Sequence, residues 1–172
     1  TKAFSETKVP SPEITDSIPE IDQIVERAHA AQKQWAHTSW ATRRVALAQV
    51  AEVMEARRGA TLAVMARSVG KTAREGDPEI SEAIDFANYA AHSTLSHEAF
   101  ISQGLTWEPH RLVLVAGPWN FPAAIPNNGL VSAIAAGSAA ILKPAPEARA
   151  VAAELVDQLH EAGIPQDLVQ LV

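Results

Sequence analysis

The feature that most constrains this chain is a pair of short apolar runs, residues 111–116 (RLVLVA) and 138–142 (SAAIL), on either side of an alanine-rich segment. The first run lacks clean polar alternation, as a strand buried on both faces of a parallel sheet does, and Gly117 and Pro118 end it. The segment from Pro122 or Pro126 to Ala136 places proline at a helix start and Gly137 just past its end, the favoured asymmetry. The second run is cut by Pro144, which has no N–H to give to a central ladder. The order is β-α-β. Such crossovers are right-handed, and in open α/β sheets ligands sit beyond the carboxyl ends of the strands. Asn120 and Lys143 share that edge.

After Lys143 a further helix is expected over residues 147–161, with Ala152, Leu155, Val156 and Leu159 inward, Gly163 as its stop and a third strand over 168–172. The predicted fold class is therefore α/β: a partial, doubly wound, Rossmann-like parallel sheet preceded by a helical layer. Residues 111–172 form its βαβαβ portion and residues 20–110 the helical portion. Residues 1–19, with three prolines among Ser, Thr and charged side chains, read as an extended arm.

Within the helical portion, Ile21, Ile24, Val25, Ala28 and Trp35 build one apolar face from Glu20 onward. A second helix is capped by Thr38 or Ser39 and expected to bury Val45, Leu47, Ala48, Val50 and Met54. Arg57, Arg58 and Gly59 mark its end or a bend, and a third apolar segment, 62–69, closes at Gly70. Asp77 followed by Pro78 predicts the start of a long helix running towards Ser96, packed through Ile80, Ala83, Ile84, Ala87, Ala90 and Ala91. Glu79, Glu82 and Asp85 then read as an acidic, solvated outer face near its amino end. Leu105, Thr106 and Trp107 suggest a short strand leading into the central one. Lys71 after Gly70 does not make a phosphate loop, since the upstream glycine and the preceding strand are lacking.

Composition narrows the function classes. With 47% hydrophobic and 20% charged residues the chain can bury a core, and its net charge of −6 with no basic stripe argues against nucleic acid as a partner. No apolar stretch is long enough to span a bilayer and no charged-then-apolar leader opens the chain, so no membrane insertion and a cytoplasmic location are expected. The absence of cysteine removes thiolate metal sites, and the six histidines show no two-His helix pair, so no metal is expected. His92 and His97 read as surface or locally hydrogen-bonded side chains.

Pro118-Trp119-Asn120-Phe121-Pro122, Ala135-Ala136-Gly137 and Lys143-Pro144-Ala145 together resemble the aldehyde dehydrogenase superfamily. Gly70-Lys71-Thr72, residues 77–86 (DPEISEAIDF) and Glu108-Pro109 make the chain most similar to L-glutamate γ-semialdehyde (Δ1-pyrroline-5-carboxylate) dehydrogenases, as in the dehydrogenase part of bifunctional proline-utilisation proteins. The resemblance implies an enzyme that uses NAD to oxidise a small-molecule aldehyde to an acid through a cysteine thiolate. It makes Asn120 the side-chain donor to the developing oxyanion and Lys143 the residue that holds the adenosine ribose. Ala116, Gly117, Pro118 and Trp119 match positions lining the same cofactor cleft, Trp119 serving either contact or packing. Pro146 stands where the family commonly carries a glutamate, and Glu147, one residue further on, is the candidate for a second ribose contact.

The resemblance is to the amino-terminal portion of such enzymes only. A chain without cysteine lacks the nucleophile, so residues 1–172 alone are expected to be inactive. An incomplete sheet leaves an unpaired edge, so self-association or marginal stability is expected, and a homo-oligomer is the expected assembly. From the residues alone, two other readings stay open: a non-catalytic nucleotide-binding module using the same strand ends, and an α/β interaction domain with no small ligand.

Overall fold

The computed structural model describes residues 6–12, 15 and 17–172. Of the expected arm, residues 1–5, 13, 14 and 16 lie outside the described residues; Val9 packs against the core. Helix α1 (Ile18–Ala36) has Pro19 in its first turn and buries Ile24, Ala28 and Trp35, as its apolar period requires. Helix α2 (Trp40–Ala56) is capped by Ser39, whose hydroxyl accepts from the Thr42 N–H at 3.0 Å. It buries Leu47, Val50 and Met54, but Val45 is 69% exposed. Two residues from Leu47, a side chain lies about 200° round the helix, so Val45 cannot share the packed face.

Arg57 separates α2 from α3 (Arg58–Ser68), the bend expected there. The long helix α4 runs Ala73–Ser102, starting earlier than Asp77-Pro78 suggested. Its start is set by Thr72 and Glu75: the Glu75 carboxylate accepts from the Thr72 backbone N–H at 3.0 Å and from its hydroxyl at 2.8 Å. This is the glutamate half of a capping box, and it outweighs proline as a start signal. Pro78 therefore sits inside the helix.

No strand forms over residues 105–107. Trp107 instead meets the His97 ring edge-on at 4.6 Å and Trp40 at 5.8 Å, and its Nε1–H donates to the Ala136 carbonyl at 2.9 Å. The segment is thus held by its indole, through aromatic contacts and one carbonyl, and not by backbone pairing.

Strand β1 (Leu112–Ala116), helix α5 (Ala124–Ala136), strand β2 (Ala139–Lys143), a 3₁₀ turn (Pro146–Ala148), helix α6 (Arg149–Glu161) and strand β3 (Val169–Leu171) complete the chain. The strands are parallel in the order β1-β2-β3. Two successive crossovers in the same direction put α5 and α6 on one face of the sheet. Helices α2, α3 and α4 pack outside them as the expected helical layer, and α1 touches all three strands. One continuous core joins the layers, from Leu47 and Met65 through Leu130 and Ile134 to Leu142 and Leu168.

Candidate active-site edge

The register of β1 on β2 brings Ala116 opposite Lys143 at the carboxyl ends of adjacent strands. The pairing continues past both strands: Gly117 N–H donates to the Lys143 carbonyl at 3.2 Å, and Ala145 N–H to the Gly117 carbonyl at 3.2 Å. Backbone bonds thus tie the loop that carries Asn120 to the end of β2, where Lys143 stands, and to the turn after it. Gly117 is required by space, because a Cβ there would lie 2.6 Å from Cγ of Pro126 in the first turn of α5.

Beyond Gly117 the loop turns outward. Pro118 is half-buried, while Trp119, Asn120 and Phe121 are exposed. Asn120 and Phe121 line a cleft of about 320 Å³ with Lys71, Arg74, Glu75 and Pro78 of the α3–α4 junction. Lys143 is not in that cleft; it stands exposed at the end of β2, and Glu147 is exposed in the following 3₁₀ turn. Among the described residues the Lys143 ammonium has no ion-pair partner. An ammonium exposed at the carboxyl end of a parallel strand has the chemistry to donate to the hydroxyls or phosphate of a nucleotide, the kind of ligand that open α/β sheets take at that edge.

Glu79, expected on the solvated face, is 2% exposed. Its Oε1 accepts the backbone N–H of Ala123 at 2.7 Å and of Ala124 at 3.2 Å, at the start of α5. Its Oε2 pairs with the Lys71 ammonium, which also lies 4.4 Å over the Phe121 ring. Two signals could have found this. Glu79 lies one residue before Ile80 and four before Ala83, at the margin of the packed stripe, and α5 opens on Ala123 with no side-chain cap. Its orphan N–H groups had to find an acceptor elsewhere in the chain.

Glu75, at the cleft rim, is held below the usual carboxylate value by the Thr72 backbone N–H and then by the Thr72 hydroxyl. It is ionised at neutral pH and faces the cleft as an anion beside Lys71 and Arg74.

The profile of the aldehyde dehydrogenase family matches residues 11–172. The chain belongs to this family. Among aldehyde dehydrogenases, it is 30% identical over 163 residues to N-succinylglutamate 5-semialdehyde dehydrogenase of Sphingopyxis alaskensis, covering 90% of this chain and 34% of that protein. It is 33% identical over 153 residues to the bifunctional protein PutA of Escherichia coli, covering 89% of this chain and 11% of that one. A solved 1-pyrroline-5-carboxylate dehydrogenase from Thermus with bound NAD superposes with a TM-score of 0.80 at 30% identity, over 90% of this chain and 32% of its own. The chain thus spans about a third or less of the relatives it matches. Its helices and small parallel sheet are part of the aldehyde dehydrogenase fold. Among the described residues no helix is long and apolar enough to cross a membrane.

Proposed function

We propose that this chain is the amino-terminal, NAD-binding part of an enzyme that oxidises L-glutamate γ-semialdehyde to L-glutamate in proline catabolism. The observation that carries the proposal is the placing of Asn120, on the loop after β1, and Lys143, the last residue of β2, at the carboxyl ends of adjacent parallel strands that backbone bonds tie together. Relatives named 1-pyrroline-5-carboxylate dehydrogenase and PutA support the substrate class.

In the net reaction, aldehyde, NAD⁺ and water give carboxylic acid, NADH and a proton. NAD, when bound, accepts the hydride that leaves the carbonyl carbon. Asn120 supplies a neutral amide donor to the carbonyl oxygen as charge builds there under nucleophilic attack, a role worth about 3–4 kcal/mol of barrier. Lys143 donates to the ribose hydroxyls and Glu147 accepts from them. Ala116, Gly117, Pro118 and Trp119 wall the cofactor cleft. The thiolate comes from outside residues 1–172, which contain no cysteine, so the isolated chain is expected to show no turnover.

The test is NADH formation by the natural polypeptide that carries this chain, with glutamate semialdehyde and N-succinylglutamate semialdehyde compared. Turnover with the first, lost about 10²–10³-fold in kcat on Asn120→Ala, is the expected result. Preference for the succinylated aldehyde would overturn the substrate, and undiminished kcat in N120A would overturn the role of Asn120.

A further inference from the structure

Asn120 depends on its neighbours for its position. Among the described residues its side chain makes no hydrogen bond, and it projects from an exposed loop. An oxyanion donor is effective only when its direction is set before charge develops, because reorientation at the moment of reaction forfeits the gain. On the amino side of the loop, Gly117 supplies that restraint through its bonds with Lys143 and Ala145. On the carboxyl side nothing local does so, since α5 opens without a side-chain cap.

We propose that Lys71 and Glu79 are positioning residues that clamp the carboxyl side of this loop and thereby aim Asn120. This rests on the oxyanion role proposed for Asn120. The Glu79 carboxylate, although it comes from α4, takes the place of the missing cap by accepting from Ala123 and Ala124, three and four residues after Asn120. Its other oxygen is matched by the Lys71 ammonium, leaving no bare charge in a site that is 2% exposed. The same ammonium sits over the Phe121 ring, so Lys71 holds the residue next to Asn120 directly and the helix start through Glu79. The cluster is built from two turns of chain lying more than forty residues upstream of the loop. A carboxylate needed only for solubility of α4 would be exposed, as Glu82 is.

The test uses the natural polypeptide that carries the chain, with Glu79→Gln, Lys71→Met and Asn120→Ala, alone and with E79Q and N120A combined. Hydrogen exchange of the amides at 119–124 is followed by mass spectrometry, and kcat and the KM for NAD are measured in the same preparations. The expected result is faster exchange at 119–124 in E79Q and K71M. A fall in kcat of about tenfold with KM for NAD changed less than about twofold should accompany it. In the N120A background, E79Q should then cost less than about twofold in kcat, because the group it aims is gone. Unchanged exchange in E79Q would overturn the clamp whatever the kinetics. Faster exchange with undiminished kcat, or E79Q and N120A effects that multiply in full, would overturn the positioning role. A wild-type protein without aldehyde-dependent turnover, yet with faster exchange in E79Q, would overturn the dehydrogenase reading while leaving the clamp as a structural fact.

Discussion

The guanidinium of Arg43 fills the space that a side chain at Gly137 would need. A Cβ built at Gly137 would lie 2.8 Å from Nη1 and 2.9 Å from Cζ of Arg43. Gly137 has φ +96°, a left-handed conformation that closes α5, and Arg43 donates to the carbonyls of Ala36 at 2.9 Å, Trp35 at 3.3 Å and Ala135 at 3.4 Å. One buried cation thus serves the ends of α1 and α5 together. Gly137→Ala combines backbone strain with a clash against a hydrogen-bonded cation. We expect it to cost about 2–4 kcal/mol, read as a lowered urea midpoint at constant slope. A loss below about 0.5 kcal/mol would show that Arg43 can move aside.

Gly117 is confined for a different reason, the ring of Pro126 at 2.6 Å from its missing Cβ. A proline ring in the first turn of a helix cannot rotate away, so Gly117→Ala must displace the loop that carries Asn120. Turnover of the natural polypeptide should fall at least about tenfold, with a stability loss of about 1–3 kcal/mol. Full activity in this variant would mean that the loop position is not critical.

Arg57 pairs with two glutamates of α6 in unequal surroundings. Glu154, 3% exposed at its side chain, meets Arg57 at 2.8 Å and accepts from Gln158, whereas Glu161, 54% exposed, meets it at 3.0 Å. Glu154→Ala strips a partner from the part-buried guanidinium of Arg57, between α2 and α3, and from the buried amide of Gln158 on α6, and should cost about 2–3 kcal/mol. Glu161→Ala should stay within about 0.5 kcal/mol, as exposed pairs do. Equal losses in denaturant melts would contradict this division.

The capping carboxylate of Glu75 has its folded pKa lowered from the ordinary 4.5 by the Thr72 backbone N–H, then by the Thr72 hydroxyl. A carboxylate with a depressed folded pKa contributes stability that is present above its unfolded value and is lost as pH falls through the folded one. The melting-temperature gap between wild type and Glu75→Gln should therefore be constant near neutrality and close on acidification. A gap that stays unchanged through the whole acid limb of the profile would place the stabilisation elsewhere.

Strands β1 and β3 are the edges of the described sheet. Their outer backbone groups form a template for pairing, and Leu114 on β1 is 65% exposed. The isolated chain is expected to self-associate in sedimentation velocity runs at micromolar concentration. A monomer that unfolds cooperatively would refute this.

Much of the fold was legible in the sequence because the signals are local. Glycine closing α5 at Gly137, Pro144 ending β2 and the apolar periods of α1 and α6 each act over a few residues. The apolar run 111–116 marked a strand, but not one buried on both faces: only Val115 of β1 is buried and Leu114 is 65% exposed, because β1 lies at the edge of the described sheet. The βαβαβ order and parallel pairing followed from these signals, and the Pro-Trp-Asn-Phe-Pro loop pointed to the family. Two misreadings were also local: Thr72 and Glu75 carry a capping-box pattern that the Asp77-Pro78 signal obscured, and Val45 falls outside the Leu47 stripe.

The sequence by itself determined the βαβαβ order and which residues stand at the carboxyl ends of its strands, though not the unpaired segment 105–107, where a strand was expected. Spacing and backbone chemistry decide both. Only the tertiary structure decided where Glu79, Lys71 and Arg43 spend their charges. A charged side chain at the margin of a helical stripe faces either water or a buried helix end. Which of these holds depends on whether distant segments bring unsatisfied N–H or carbonyl groups to it, and that juxtaposition exists only once the layers have packed.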